Sequence, residues 1–280
     1  MPRLSWSVAF LFVLLVSLVR PLHAAETNCQ SQLYLGAAPI LKNPKLAEQT
    51  SPVCFSEIAL LYSGIARTPL WSAEHLTAGR IQRARGLSRL HSDAFHEEPS
   101  LPADLRSELA DYRRSGFDRG HMAPNGDMST IEAQEESFSL ANMIPQEPCN
   151  NEVLWEGIES AVRSLALSEG DAYVVTGPAF LGAELRSLKG RVLVPTHIFK
   201  AVYLPSRKLA GAYFAPNDGS QSWEPISISE LESRISVDVF PEASADVKQH
   251  AMDLPGPTPH FGCRLHTTEA GQQASGPGRR

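Results

Sequence analysis

The chain has 280 residues, with 25 lysines and arginines against 31 aspartates and glutamates, for a formal net charge of -6. So acidic a balance excludes a protein that coats a polyanion through bulk positive charge, but it leaves room for a local cationic site. The four cysteines include no CxxC pair and no mixed Cys/His cluster of the zinc-binding kind.

Arg3 precedes an apolar run centred on Val8 to Val16, Arg20 interrupts it, and Ala24 offers a small residue for cleavage. This pattern reads as a secretory signal peptide over residues 1–24, too short in its apolar run for a comfortable membrane span. Removing it leaves roughly 255 residues, enough for one large core or two modest ones. It also takes away two arginines, so the remainder is more acidic still. Cys29, Cys54, Cys149 and Cys263 all follow the leader, and export favours disulfides among them. Cys29 with Cys54 is the local candidate and Cys149 with Cys263 the distant one, although spacing alone decides neither.

Residues 25–54 read as an N-terminal extension broken by Pro39, Pro44 and Pro52, with a short helix around Pro44 to Gln49. Cys54 to Tyr62 is apolar enough for a strand or a short helix. Pro69 to Leu76 alternates as a strand does, and His75 in it reads as a structural histidine. Arg80, Arg83, Arg85 and Arg89 follow in a polar stretch. They fit either a solvated helix face or a phosphate-binding arm. Leu101 to Tyr112 includes a short helical turn. Asn125-Gly126-Asp127 marks a turn, residues 129–138 a surface helix, and Phe138 to Pro145 a short strand.

A helix capped by Asn150 or Asn151 then carries Val153, Leu154, Ile158, Val162 and Leu165 at the spacing of a buried stripe, ending near Gly170. Strands are expected over Ala172 to Pro178, Arg191 to Pro195, Ile198 to Leu204 and Gly211 to Pro216. A further helix starts near Ser229, its candidate cap, and Ile235 to Phe240 alternates like a late strand. The whole reads as one α+β domain over 55–265, with a polar, glycine-rich tail at 266–280 whose composition suits disorder.

The densest chemistry lies in Asp118-Arg119-Gly120-His121. Histidine suits proton transfer near neutral pH, and arginine presents a fork of donors suited to phosphate oxygens. Glycine opens backbone angles closed to other residues and lets the chain approach a ligand closely. Taken alone, the motif also fits a salt-bridged turn. Asn151, Trp155 and Glu159 are spaced by four along one helical face, which would supply an amide oxygen and a carboxylate. Oxygen ligands together with water favour a hard cation such as Mg²⁺.

Asp118 to Pro124, then Asn142-Met143-Ile144-Pro145-Gln146, then Asn151-x-x-x-Trp155-x-x-x-Glu159 resembles the DNA/RNA non-specific endonuclease family. That family includes the Serratia-type nucleases and endonuclease G. The likeness covers roughly residues 55–245, with its specific motifs within 112–178. It implies a ββα-metal finger beside a central mixed or antiparallel sheet with flanking helices.

The resemblance implies that His121 is the general base and Asn151 the direct ligand to one Mg²⁺, for which Mn²⁺ or another divalent cation can substitute. It implies that Glu159 orients the ion's water shell or pairs with Arg119, and that Arg119 stabilises the site or the phosphate. Asp118 supports the loop by bonding to backbone or arginine. The family's upstream phosphate-binding arginine has no exact match: His91 stands nearest the expected spacing, and Arg89 is assigned the role with Arg85 as fallback. DNA and RNA are the implied substrates, and dimerisation, common in the family, stays open. The implied location is the periplasm or the extracellular medium, without a stable membrane association. The competing reading is an exported nucleic-acid-binding protein of this fold with little turnover. A serine hydrolase is disfavoured because no G-x-S-x-G elbow is present.

Overall fold

The structure is a computed structural model that describes residues 29–90 and 94–257. The expected leader at 1–24, His91, Cys263 and the expected tail at 266–280 lie outside the described residues. Among the described residues thirteen strands are formed in chain order, the first four being β1 (Ile40–Leu41), β2 (Thr50–Cys54), β3 (Ala59–Ser63) and β4 (Thr68–Thr77). Next come β5 (Asp118–His121), β6 (Met143–Gln146), β7 (Asp171–Ala179), β8 (Ser187–Leu188) and β9 (Val192–Leu193). The last are β10 (His197–Leu204), β11 (Leu209–Pro216), β12 (Glu224–Ile226) and β13 (Val237–Asp238).

Seven strands make one antiparallel sheet in the order β12-β11-β10-β7-β4-β3-β2. Its central strands are covered on both faces, which is why they are apolar almost throughout rather than alternating. On β10, Phe199, Ala201 and Tyr203 enter one core with Phe214, Leu231 and Phe240. Ile198, Val202 and Leu204 point the other way, into a second core with Trp155, Ile158 and Val162. The period-two geometry of a strand makes this division.

The helices are α1 (Ala78–Arg85), α2 (Leu109–Tyr112), α3 (Ile131–Ser137), α4 (Glu156–Glu169), α5 (Ile228–Ile235) and α6 (Ala245–Gln249). Helix α4 packs its Ile158 and Val162 stripe onto the second core, as the spacing predicts. Among the described residues, no helix is long and apolar enough to cross a membrane.

Several local expectations change. Cys54 to Tyr62 is neither one strand nor a helix, because the chain turns between β2 and β3, with Phe55 N–H bonded to the Ile58 carbonyl. Thus the segment read as an extension supplies the edge strand β2. Helix α5 is capped by Ser227, whose hydroxyl accepts the Glu230 N–H at 3.1 Å, not by Ser229. The late strand shrinks to the two residues of β13, paired with β1. Phe138 to Pro145 is split: a 3₁₀ turn at Leu140–Asn142 precedes β6.

Cys29 and Cys54 form a disulfide, joining the start of the described chain to β2. Cys149 is also disulfide-bonded, while the Cys263 expected as its partner lies outside the described residues.

Candidate active site

Strands β5 and β6 form an antiparallel pair in the register Asp118 with Gln146, Arg119 with Pro145, Gly120 with Ile144 and His121 with Met143. The long connection between them is fastened by Asn142, which is fully buried. Its Oδ1 accepts from Ser72 Oγ and Ala123 N, each at 3.0 Å, and its Nδ2 donates to the carbonyls of Ala123 and Ser137. One side chain thus ties the hairpin to β4 of the main sheet. A buried amide with all these bonds made holds a unique arrangement.

After β6 the chain enters its helix at Pro148, with Glu147 as the cap: its carboxylate accepts the Asn150 N–H at 2.8 Å. Proline suits that first turn. Neither Asn150 nor Asn151 is therefore the cap, since Cys149 already has helical angles. Asn150–Trp155 forms a π-helical turn before α4, a widening that often accompanies functional sites. Asn150 is buried, accepts from Gln146 Nε2 at 2.7 Å and donates to the Pro216 carbonyl at 2.9 Å. Its neighbour Asn151 is left facing the open side.

Strand alternation then sorts the four-residue motif. Asp118 and Gly120 face the helix. Asn151 Nδ2 donates to Asp118 Oδ2 at 2.9 Å, so the partner of Asp118 is this amide rather than backbone or arginine. Gly120 does not use a left-handed backbone conformation. A Cβ there would stand 1.9 Å from Gln146 Oε1 and 2.6 Å from Gln146 Cβ. The glycine thus makes room for Gln146, not for a ligand.

Arg119 and His121 project to the other side, into a cleft of about 670 Å³ that Arg89, Asn151, Glu159 and Arg163 also line. The five residues expected at the site therefore share one cavity. Arg85 is exposed on α1 and takes no part in lining it. Arg80 leaves the proposed arm entirely: it is 4% exposed, donates to the Asp127 carbonyl at 2.8 Å and pairs with Glu74 at 3.2 Å. His75 is structural, stacked on Tyr173 and 3.2 Å from Asp171 Oδ2.

His121 is 9% exposed, with Phe138 edge-on at 5.0 Å and Phe95 at 5.6 Å. Burial, then the charges of Arg89 and Arg119, lower its pKa from 6.5 to about 3. The ring is therefore neutral at pH 7, and its Nε2 has no hydrogen-bond partner among the described residues. A phosphate between the two arginines would offset the charges that hold the ring's basicity down. The Arg119 guanidinium lies over the Phe95 ring, 4.0 Å from its centroid, a contact that orients the fork while leaving its donors available.

Glu159 has its pKa raised from 4.5 to about 7, by burial first, against the opposing pull of Lys200 and Arg163 and with Asp127 adding to the rise. The expected Arg119–Glu159 pair is not formed among the described residues. Trp155 is buried beneath the cleft rather than in it, with Lys200 Nζ 5.8 Å from its ring.

Sequence reasoning passes over Arg163, which lines the cleft and donates to Asp127 Oδ1 at 2.9 Å. Its signal was available in the four-residue spacing from Glu159 on the same helix. Phe95 and Phe138, the aromatic walls of His121, had no such signal.

No three His, Cys, Asp or Glu side chains among the described residues form a ready metal cage. The oxygen donors that are present suit a hard, largely hydrated cation. Asp118 holds the Asn151 nitrogen, which leaves the amide oxygen for a ligand. Nearby, the carboxylate of Glu159 is disfavoured by burial, and a divalent cation would favour it again. The residues fit Mg²⁺.

The family model for DNA/RNA non-specific endonuclease matches residues 37–246. The chain belongs to the DNA/RNA non-specific endonuclease family. It is 39% identical over 180 residues to Nuclease C1 of Cunninghamella echinulata var. echinulata, covering 59% of this chain and 71% of that protein. It is 34% identical over 194 residues to a nuclease of Syncephalastrum racemosum, covering 62% of this chain and spanning 60% of the relative's length. A crystal structure of the EndoG/EndoGI complex, described as showing the mechanism of EndoG inhibition, superposes with a TM-score of 0.62 at 28% identity. That likeness covers 70% of this chain and 88% of the other. The β5–β6 hairpin and the helix that follows are this family member's ββα-metal finger. Membership supports a nuclease, a phosphodiester hydrolase, in general terms.

Proposed function

We propose that the chain is an exported, Mg²⁺-dependent endonuclease that hydrolyses phosphodiester bonds of DNA and RNA with little base specificity. The observation that carries this reading is the meeting, in one cleft, of a neutral, unpartnered His121 Nε2 with Arg119 and with an Asn151 oriented by Asp118.

In this mechanism Arg119 and Arg89, which line the same cleft, hold the non-bridging oxygens of the scissile phosphate. Phosphate binding brings His121 back toward its ordinary basicity, and the imidazole takes a proton from the attacking water. The water oxygen bonds to phosphorus as the bond to the 3′ oxygen breaks, leaving a 5′-phosphate and, after protonation from solvent, a 3′-hydroxyl. Asn151 would hold the cation, with Glu159 bonding to its water shell. When bound, Mg²⁺ supplies charge neutralisation at the phosphoryl and departing oxygens. Arg163, held by Asp127, adds positive charge on the Glu159 side. Contacts confined to phosphate carry no base information, which accounts for the low specificity, and the mechanism requires no 2′-hydroxyl.

Digestion of supercoiled plasmid and of RNA, each with Mg²⁺ or EDTA, tests the reading alongside His121→Ala. Both substrates should be cut only with the ion, and the variant should be nearly inactive. Activity in EDTA, or a fully active variant, would sink the mechanism. Export rests on the leader at 1–24, and N-terminal sequencing of the secreted product should begin at Ala25.

A further inference from the structure

A second recess of about 470 Å³ opens beside the catalytic cleft and shares Phe95, Arg119 and Asn151 with it as walls. Its volume lies within the roughly 300–1,000 Å³ usual for small-ligand sites. His121 does not line it, so it extends from the cleft on the Asn151 side. Phe117 and Tyr112 make its aromatic interior, and the exposed Arg113 stands at its rim. Arg186 lies over the Phe117 ring at 5.1 Å. Tyr112 is only 5% exposed, and its buried hydroxyl has no hydrogen-bond partner among the described residues. Asp118, Arg119 and Asn151 bring polar groups to the same walls. The mechanism above uses neither Tyr112 nor Phe117.

Building on the nuclease reading, we infer that this recess is a nucleobase subsite. It takes the base of the nucleotide that flanks the scissile phosphate on the Asn151 side. Aromatic rings and a guanidinium plane offer stacking faces to any base, and Arg113 at the rim faces the strand's phosphates. A base can enter only when it has left its own stack, so single strands or locally opened duplexes are the preferred form of substrate. Stacking is indifferent to base identity, so the subsite selects for the presence of a base without selecting which one.

The test is a uniform thymine single strand, end-labelled, carrying one internal tetrahydrofuran abasic residue and cut sparingly in Mg²⁺. Wild type should give an even ladder except at one linkage flanking the abasic residue, where cleavage drops on the order of ten-fold for loss of one stacked base. Phe117→Leu, which keeps apolar bulk against the Tyr112 cluster, should restore evenness at that linkage while cleaving more slowly at every intact one. An even wild-type ladder, equal suppression on both sides of the abasic residue, or a dip unchanged in Phe117→Leu would each overturn the subsite while leaving the nuclease reading intact. A wild-type protein that leaves the whole strand uncut would instead refute the nuclease reading, and the subsite with it.

Discussion

Replacing Gly120 with alanine tests how the hairpin holds the helix start. The new Cβ would fall 1.9 Å from Gln146 Oε1, 2.8 Å from its Cδ and 2.6 Å from its Cβ. Swinging the amide away relieves the first two contacts but not the third, so backbone has to shift as well. Overpacking of this kind costs about 1–3 kcal/mol. Displacing Gln146 also breaks its 2.7 Å bond to Asn150 Oδ1, adding about 1 kcal/mol for a buried bond. The sum is about 2–4 kcal/mol, or a fall in Tm of roughly 4–16 °C for a domain of this size.

A double-mutant cycle isolates the cause. In a Gln146→Gly background the Cβ and the amide are both gone, and Gly120→Ala should cost less than about 1 kcal/mol, a coupling of about 2 kcal/mol. Calorimetry or chemical denaturation of the four proteins measures it. Additive costs, or Gly120→Ala melting with the wild type, would refute the steric reasoning. Activity should fall further than unfolding explains, because Asn150 precedes the proposed ligand Asn151.

His121→Ala should lower kcat by about 10²–10⁴. It should also flatten the acid limb of stability. The folded imidazole stays unprotonated until about pH 3, while the unfolded one takes a proton near 6.5; wild-type stability present above pH 6.5 is therefore lost as pH falls toward 3, by at most about 5 kcal/mol. Glu159, raised to about 7, acts with the opposite sign between pH 4.5 and 7. Urea titrations of wild type and His121→Ala compared across pH 3–8 isolate the histidine, and parallel curves would count against its burial as a neutral base. Asp118→Ala frees the Asn151 amide to rotate and should weaken Mg²⁺ binding about 10–100-fold; isothermal titration with the ion alone would expose an unchanged affinity. Arg89→Ala should reduce kcat/KM and lower the slope of log affinity against log salt by about 1. Arg85→Ala should leave both nearly untouched, and the reverse ordering would reassign the phosphate contact.

The legible parts of the site were those set by short sequence spacing. Arg119 and His121 stand two apart on a strand, and Asn151 and Glu159 eight apart along continuous helical turns, so each pair reaches the cleft together. What stayed illegible depends on register across the chain. The need for Gly120 is visible only once Ile144 lies opposite it and Gln146 folds beneath it. Arg80 looked like its neighbours Arg83 and Arg85. Only tertiary packing makes it the buried partner of Glu74 and the Asp127 carbonyl. The helix cap was misplaced because a cap needs an acceptor at the right offset, and the Glu147 carboxylate supplies it before either asparagine does. The central strands were read correctly because burial on both sheet faces leaves a nearly unbroken apolar signal.

The compression of so much chemistry into Asp118 to His121 has a mechanical cause. A strand presents alternate residues to opposite sides, so four positions can serve two surfaces. Arg119 and His121 face the cleft, while Asp118 and Gly120 face the helix and fix where Asn151 stands. A loop carrying the same residues would need separate devices to hold each one. Here the β5–β6 pairing places both sets at once, and Asn142 fastens that pairing to β4. Beneath it, the buried Lys200 donates to the Thr176 hydroxyl at 2.7 Å and to the Met122 carbonyl at 3.3 Å. The same lysine draws down the pKa of Glu159. One cation thus braces the residue after His121 and favours the ionised carboxylate of Glu159. The base and the proposed ion site are thereby coupled through the sheet, and a change that shifts β10 should disturb both together.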